Sequence, residues 1–195
     1  MKVTNVQIFD QRIRSLVEAE MLEDPGDDYI ETVDALWSVY KRRILRVRRA
    51  AGNTVPEHNH WNWKLKLEQG RLENSLYKCF AIVRDEPQGL MMLKYGSEFV
   101  CRCPEQQGMP LVYLAYVESA PWNVKVYSDT ICYSGIGSEF YKMAIQFSRL
   151  LGFAGRVGLH SLPGTEGFYA NTCQMVALGH DPKCDGLVYF ESVVQ

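Results

Sequence analysis

Apolar and polar positions along the chain follow different periods, which predict strands and helices in mixed order. Residues 2–8 alternate between apolar and polar side chains, as a half-buried strand does. Residues 11–22 are predicted to form a short helix, which the turn residues 24–26 close. Apolar residues then recur at spacings of three and four, which predicts the buried stripe of a long helix: Ile30, Val33, Trp37, Tyr40, Ile44 and Val47.

The ends of this long helix carry the charges that a helix dipole favours. Asp27 or Asp28 can cap its start, and the run 41–49 makes its end basic. Gly52 and Asn53 are expected to terminate it. Most of the basic side chains lie opposite the apolar stripe, so a solvated face is the first interpretation. An interaction with an adenosine phosphate or with an acidic substrate such as RNA is the alternative.

The remaining sequence predicts further strands and helices in alternation. Short apolar runs between turn residues predict strands at 77–83, 89–93, 111–117, 156–160, 175–178 and 187–191. Helical spacing predicts helices at 61–67, 136–151 and 165–171. The fold class that follows is α/β, with layers of helices against a sheet.

Bulk properties narrow the function classes only slightly. The 195 residues suit one domain, and a net charge of −2 gives no overall attraction to nucleic acid. No apolar run is long enough to span a bilayer and the first residues do not resemble a signal peptide, so we expect a cytoplasmic protein without a membrane partner. Its six cysteines are expected to be reduced and mostly to serve as packing residues.

A glycine-rich turn before the helix at 136–151 is the strongest chemical signal. Gly135 and Gly137 allow backbone N–H groups to approach a ligand closely, and the following helix directs its positive end toward that ligand. Ser134 and Ser138 add hydroxyl donors. These features predict a phosphate-binding site.

The segment from 111 to 192 resembles the GNAT acetyltransferase superfamily, which transfers the acetyl group of acetyl-CoA to a primary amine. The family's pyrophosphate-binding signature, Arg/Gln-x-x-Gly-x-Gly/Ala, aligns with Cys132 to Gly137, so its first position is a cysteine here. The likeness continues through the helix and the strand at 156–160 to Gly167-Phe168-Tyr169, where the family has an aromatic pair and its common general acid. Leu162 stands where the family often has asparagine.

The resemblance implies a mixed, splayed central sheet of six to seven strands flanked by helices, in a single domain over residues 1–195. Residues 1–110 would hold acceptor-site elements and residues 111–195 would form the acetyl-CoA-binding core. Direct transfer in a ternary complex, without a metal, is expected. The backbone at Gly135, Ile136 and Gly137 would bind the pyrophosphate, and the Val117 N–H would bind the thioester oxygen.

Acetyl transfer also needs a base for the amine and an acid for the leaving thiolate. Glu118 is the carboxylate nearest the end of the strand at 111–117 and is the predicted base; a solvated strand-end residue is the alternative. Tyr169 is the predicted acid, because a phenol with a pKa near ~10 holds its proton at neutral pH. His160 is interpreted as structural.

The acceptor end is less defined by the sequence. Trp61 or Trp63 is predicted to line a substrate pocket, with core packing as an equal alternative. The spacing of Cys101 and Cys103 does not favour a zinc site, and no metal is expected. The function predicted from the resemblance is acetyl transfer to a primary amine; transfer to aminoacyl-RNA or a protein lysine and a non-catalytic acyl-CoA-binding module are the alternatives. The protein would be a monomer or a homodimer.

Overall fold

A computed structural model describes residues 1–50, 61–73 and 76–194. The predicted helix end at Gly52 and Asn53 lies outside the described residues. In chain order the strands and α-helices are β1 (Lys2–Asp10), β2 (Ser15–Glu23), α1 (Asp27–Ala50), α2 (Trp63–Leu72), β3 (Leu76–Arg84), β4 (Glu86–Tyr95), β5 (Val112–Ser119), β6 (Tyr133–Ser134), α3 (Ile136–Leu150), β7 (Val157–Ser161), β8 (Val176–Asp181) and β9 (Leu187–Glu191).

The sheet confirms the predicted α/β class but has more strands than expected. Within the described ranges, nine strands follow the order β6-β1-β2-β3-β4-β5-β7-β9-β8. The prediction of six to seven strands therefore needs correction. Of the two additional strands, β2 falls in the segment predicted as helix, and β6 has too few residues to show a period. None of the described helices has the length and apolar character needed to cross a bilayer.

The predicted helix over 11–22 is wrong, because this segment forms the turn and second strand of a hairpin. β1 and β2 pair in antiparallel register from Lys2 opposite Glu23 to Asp10 opposite Ser15. Ala19 and Met21 are buried while Glu18 and Glu20 are exposed, which is the two-residue period of a strand. Strand pairing therefore outweighs the helix propensity of glutamate, alanine and leucine.

The chain divides into two compact units, each built from separate stretches of sequence. Unit 1 comprises Met1–Asn74, Cys79–Leu90 and Glu118–Gly137. Unit 2 comprises Ser75–Lys78, Met91–Val117 and Ser138–Gln195. The single domain divided after residue 110 stays a prediction.

In unit 1, the buried stripe of α1 departs from the predicted one halfway along the helix. The first three predicted residues of the stripe are buried, but the stripe then continues through Lys41 and Leu45. Tyr40 and Ile44 are only half-buried, and Val47 is exposed. Steps of four from Trp37 thus replace the mixed steps in the prediction, and they place a lysine inside the core.

In unit 2, two strands part soon after they meet. β5 pairs with β7 in parallel at Val112–Val157 and Tyr113–Gly158, the two pairs that join these strands in the described chain. β7, β9 and β8 then pair in antiparallel fashion. The predicted helix over 165–171 is a shorter π-helix, Phe168–Thr172.

Candidate functional site

A buried polar cluster in unit 1 surrounds the predicted base, Glu118. The Glu118 side chain is 3% exposed. The Lys41 ammonium donates to its Oε1, and Trp63 Nε1 donates to its Oε2 at 2.7 Å. Asp34 Oδ1 accepts the Trp63 backbone N–H at 3.1 Å. These four residues, the Glu118 cluster, join α1, the start of α2 and the end of β5.

Burial dominates the electrostatics of Glu118. Loss of water raises the pKa of its carboxyl, and the nearby Asp34 acts in the same direction. The Lys41 ammonium and the Trp63 indole oppose that rise. Glu118 is therefore easier to protonate than an exposed glutamate, although both oxygens already accept hydrogen bonds. The alternative of a solvated strand-end residue is wrong.

Lys41 and Asp34 are buried residues that the sequence did not predict as part of the site. Lys41 belongs to the basic run 41–49, for which a solvated face was the first interpretation. The available signal was the helical period, since Asp34 and Lys41 stand one and three turns beyond the buried Ile30, near Trp37. A charged residue at a buried position of a stripe indicates a paired charge.

The two predicted substrate-binding tryptophans lie in different surroundings. Trp63 is completely buried, and its indole N–H donates a hydrogen bond to Glu118. Trp61 is half-buried, and Lys66 Nζ lies 4.0 Å from the centre of its ring. Trp61 also lines a pocket of about 530 Å³ in unit 1, the arginine pocket, whose lining includes Lys41, Arg42, Arg46, Arg49, Trp61 and Asn62. A substrate-binding role stays a prediction for both tryptophans.

The glycine turn begins from a strand end that unit 1 holds in place. Ser134 pairs with Phe9 of β1, and Gln11 N–H donates to the Cys132 carbonyl at 2.9 Å. Gln11 Nε2 also donates to Ser134 Oγ at 2.8 Å, so the serine hydroxyl keeps its own proton for another acceptor.

Gly135 has the backbone conformation that the phosphate prediction requires. Its φ is +87°, and a Cβ added there would meet no heavy atom within 4 Å. Because the space beside Gly135 is open, a side chain would fit there, and it is the left-handed backbone conformation that favours glycine. α3 begins at the next residue, Ile136, whose side chain is buried, and the first turn of an α-helix leaves N–H groups without helical partners. Gly137 and Ser138 belong to that turn, which suits an anion.

In unit 2, Val117 and Tyr169 are the predicted site residues. Val117 is half-buried on β5, beyond the two residue pairs that join β5 to β7. Tyr169 lies in the π-helix after β7, a helix type that is frequent at functional sites. The Tyr169 ring is 5.1 Å from the Phe168 ring and 5.9 Å from the Phe190 ring. Burial raises the pKa of its phenol to about 12, so the group stays protonated at neutral pH.

A second polar cluster, the His160 cluster, lies elsewhere in unit 2. His160 Nδ1 is 2.8 Å from the Tyr113 hydroxyl, and His160 Nε2 is 3.1 Å from Asp181 Oδ2. Arg102 Nη1 donates to the same carboxylate oxygen at 2.5 Å. The ligand atoms of His160, Asp181 and Cys184 lie within 4.8 Å of one another. Because the Arg102 guanidinium already balances the Asp181 charge, these contacts favour a structural ion pair.

Comparison with known proteins gives a match at the level of structure only. No protein-family profile matches the sequence, and no curated protein is significantly similar to it. An acetyltransferase of the GNAT family from Listeria monocytogenes 4b F2365 matches with a TM-score of 0.50 and 11% identity, over 96% of this chain and 99% of that one. A tyrosine-to-phenylalanine mutant of the AtaT toxin, bound to the C-terminus of the antitoxin AtaR and acetyl-CoA, matches with a TM-score of 0.44 and 11% identity. That match covers 70% of this chain and 80% of the toxin.

The likeness to the Listeria protein spans nearly the whole of both chains. At this identity it shows the fold and leaves the reaction to be argued from the residues. The open mixed sheet flanked by helices agrees with it. This chain has the fold of the GNAT acetyltransferases.

Proposed function

We propose that this protein is an acetyl-CoA-dependent N-acetyltransferase that transfers the acetyl group directly to a primary amine in a ternary complex. The observation that carries the proposal is the parting of β5 from β7 after two residue pairs, in a chain with the GNAT fold. Parted parallel strands leave backbone N–H and C=O groups on facing edges, which can bind an extended ligand that itself contains amides. The pantetheine arm of CoA is such a ligand.

The phosphate end of the cofactor is assigned to the glycine turn. The left-handed Gly135 and the first turn of α3 present backbone N–H groups, and Ser134 and Ser138 add hydroxyl donors. Backbone donors need no particular side chain, which is consistent with Cys132 at the first position of the signature. The backbone N–H of Val117 is assigned to the thioester oxygen, where one donor contributes about 2.7–4 kcal/mol to transition-state stability.

Acetyl-CoA would supply the activated acetyl group, and side chains of the protein would donate and accept the protons. The amine nitrogen attacks the thioester carbon, the C–S bond breaks, and the nitrogen gives up one proton while the sulfur gains one. Tyr169 donates to the leaving thiolate, because its phenol is still protonated at neutral pH. Glu118 accepts the proton of the amine after Lys41 or Trp63 releases one of its oxygens.

A Tyr169→Phe variant tests the acid role. It should bind acetyl-CoA as the wild type does and release free thiol about 100-fold more slowly or worse, since a positioned acid contributes about 10²–10⁴ in rate. The acceptor amine for this assay is first identified by screening primary amines for thiol release from acetyl-CoA. Tyr141→Phe is the matched control, because burial also raises the pKa of Tyr141 to about 12. Equal turnover in the two variants would remove Tyr169 from the mechanism.

A Glu118→Gln variant tests the base role through pH. If Glu118 takes the amine proton, the deficit in turnover shrinks as pH rises, because more of the amine is already unprotonated. A deficit that does not change with pH would mean that Glu118 only maintains the structure.

The alternative is a non-catalytic acyl-CoA-binding module, and one observation favours it: both Glu118 oxygens already accept hydrogen bonds. Such a module would bind acetyl-CoA and release no thiol with any amine of the screen. Thiol release with any acceptor at a rate above the wild-type hydrolysis background would exclude it.

A further inference from the structure

Three arginines of α1 form one stripe along the helix. Arg42, Arg46 and Arg49 stand at spacings of four and three residues, which places them on the same side of α1. All three are exposed. In the described part of the chain no carboxylate forms an ion pair with any of them, and like charges at these spacings repel. An anion bound between them would relieve that repulsion.

These arginines line a concave site of small-ligand size. The arginine pocket has a volume of about 530 Å³, within the range of about 300–1,000 Å³ that is usual for small-molecule sites. Its described lining includes four cationic residues and no acidic one. Lys41 is neutralised by Glu118, so the arginines supply the net positive charge. Guanidinium groups bind phosphate through paired hydrogen bonds, which lysine cannot match.

The pocket is also connected to the candidate base. Lys41 lines the pocket and donates to Glu118 Oε1, so one side chain touches both. The Glu118 cluster thus lies directly behind the wall of the pocket. An amine whose anionic group binds between the arginines would therefore lie close to the Glu118 cluster.

We propose that the arginine pocket binds the phosphate group of the acetyl acceptor, and that the acceptor is a small phosphorylated primary amine. This assignment of the substrate class rests on the proposed acetyltransferase function. Trp61 adds an aromatic wall on which the carbon skeleton of the acceptor packs. The volume of about 530 Å³ favours a small molecule over RNA, whose backbone needs a long basic groove.

The test compares ω-aminoalkyl phosphates of two to six carbons with the matching amino alcohols, in acetyl transfer measured by thiol release. The wild type should prefer at least one phosphate by about 100-fold in kcat/KM, since hydrogen bonds to charged groups of this kind change affinity by about tenfold or more each. Arg42→Gln/Arg46→Gln should lose most of that preference through KM. Arg43→Gln is the control, because Arg43 is an exposed arginine of α1 outside the described lining of the pocket.

A second measurement does not depend on catalysis. Inorganic pyrophosphate is titrated into each protein at saturating CoA, so that the glycine turn is already occupied. Wild type and Arg43→Gln should bind it, and the double variant should bind at least about tenfold more weakly. Circular dichroism establishes that each variant is folded; if the double variant is not, Arg46→Gln alone replaces it.

The outcomes separate the two proposals. Equal use of phosphates and alcohols by an active enzyme overturns the phosphate assignment and leaves acetyl transfer intact. Arginine-dependent pyrophosphate binding without any binding of acetyl-CoA overturns the acetyltransferase and with it the acceptor. Arginine-dependent binding of a short single-stranded RNA without pyrophosphate binding overturns the small-molecule acceptor in favour of RNA.

Discussion

Glu118 and Asp181 are both buried carboxylates, but their surroundings move their pKa values in opposite directions. Glu118, in unit 1, accepts from one ammonium and one neutral indole, and burial still raises its pKa. Asp181, in unit 2, accepts from the Arg102 guanidinium, the Lys183 backbone N–H and His160, and these donors hold its pKa well below its usual range. Asp181 is 9% exposed and Glu118 is 4% exposed.

The comparison shows that loss of water and the number of donors together decide what a buried carboxylate can do. Asp181 is held as an anion by several donors and suits a structural role. Glu118 has fewer donors and less water, so the free energy gap between its protonated and ionised forms is smaller. That property suits a group that exchanges protons, and it makes the Glu118 cluster sensitive to substitution.

The largest expected effect is the loss of stability when the Glu118 pair is broken. Glu118→Gln leaves the Lys41 ammonium buried without its carboxylate, so the free energy of unfolding should fall by about 3–5 kcal/mol. Lys41→Met/Glu118→Leu should recover most of that loss, because no charge remains buried. Urea denaturation measures both variants. Glu20→Gln, at an exposed position of β2, should change stability by less than about 0.5 kcal/mol. A Glu118→Gln effect as small as this control would contradict a buried pair.

Asp181→Asn should have a smaller effect, and one that depends on pH. A carboxyl with a lowered folded-state pKa stabilises the fold above the unfolded value of about 3.8, and this contribution is lost as pH falls further. The deficit of the variant should therefore be present at neutral pH and disappear in strong acid. Its partner Arg102 has a side chain that is 52% exposed, so water replaces much of the lost interaction. Unfolding curves from pH 7 to pH 2 test this; a deficit that grows toward acid would contradict the assignment.

The smallest effect is expected at His160. Burial lowers the pKa of His160, although Asp181 opposes this, so the folded state binds a proton less well than the unfolded state. Wild-type stability should consequently fall as pH drops below about 6.5, and His160→Gln should flatten that slope. His180→Gln, which changes an exposed histidine, should keep the wild-type slope. Thermal melting between pH 8 and pH 5 distinguishes the two variants, and a steeper slope in His160→Gln would reverse the predicted sign.

The elements with strong local signals could be predicted from the sequence. α1 spans Asp27–Ala50, close to the predicted helix, because its stripe and its charged ends are local features. β2 could not be recognised, because its glutamate and alanine residues favour a helix and only the pairing with β1 and β3 makes it a strand. β6 is a strand only because residues 133–134 meet the end of β1.

The parts of the candidate site also differ in how far they could be predicted, because some depend on local sequence and others on contacts between distant residues. The glycine turn is contiguous in sequence, so its left-handed backbone at Gly135 follows from local chemistry. The Glu118 cluster joins Lys41 to a residue 77 positions later, and no local period predicts such a pairing. The structure was needed to show that the basic end of α1 contains one buried lysine and a separate stripe of exposed arginines.

Calorimetric titration of acetyl-CoA into the wild type, Gly135→Ala and Gly26→Ala tests the central claim most directly. Gly26 and Gly135 have nearly the same φ, +89° and +87°, and an added Cβ meets no heavy atom within 4 Å at either position. The backbone strain of the two variants should therefore match. The account predicts that the wild type and Gly26→Ala bind acetyl-CoA, and that Gly135→Ala binds at least about tenfold more weakly because its methyl group occupies the space of the ligand. No binding of acetyl-CoA to the wild type would contradict the account.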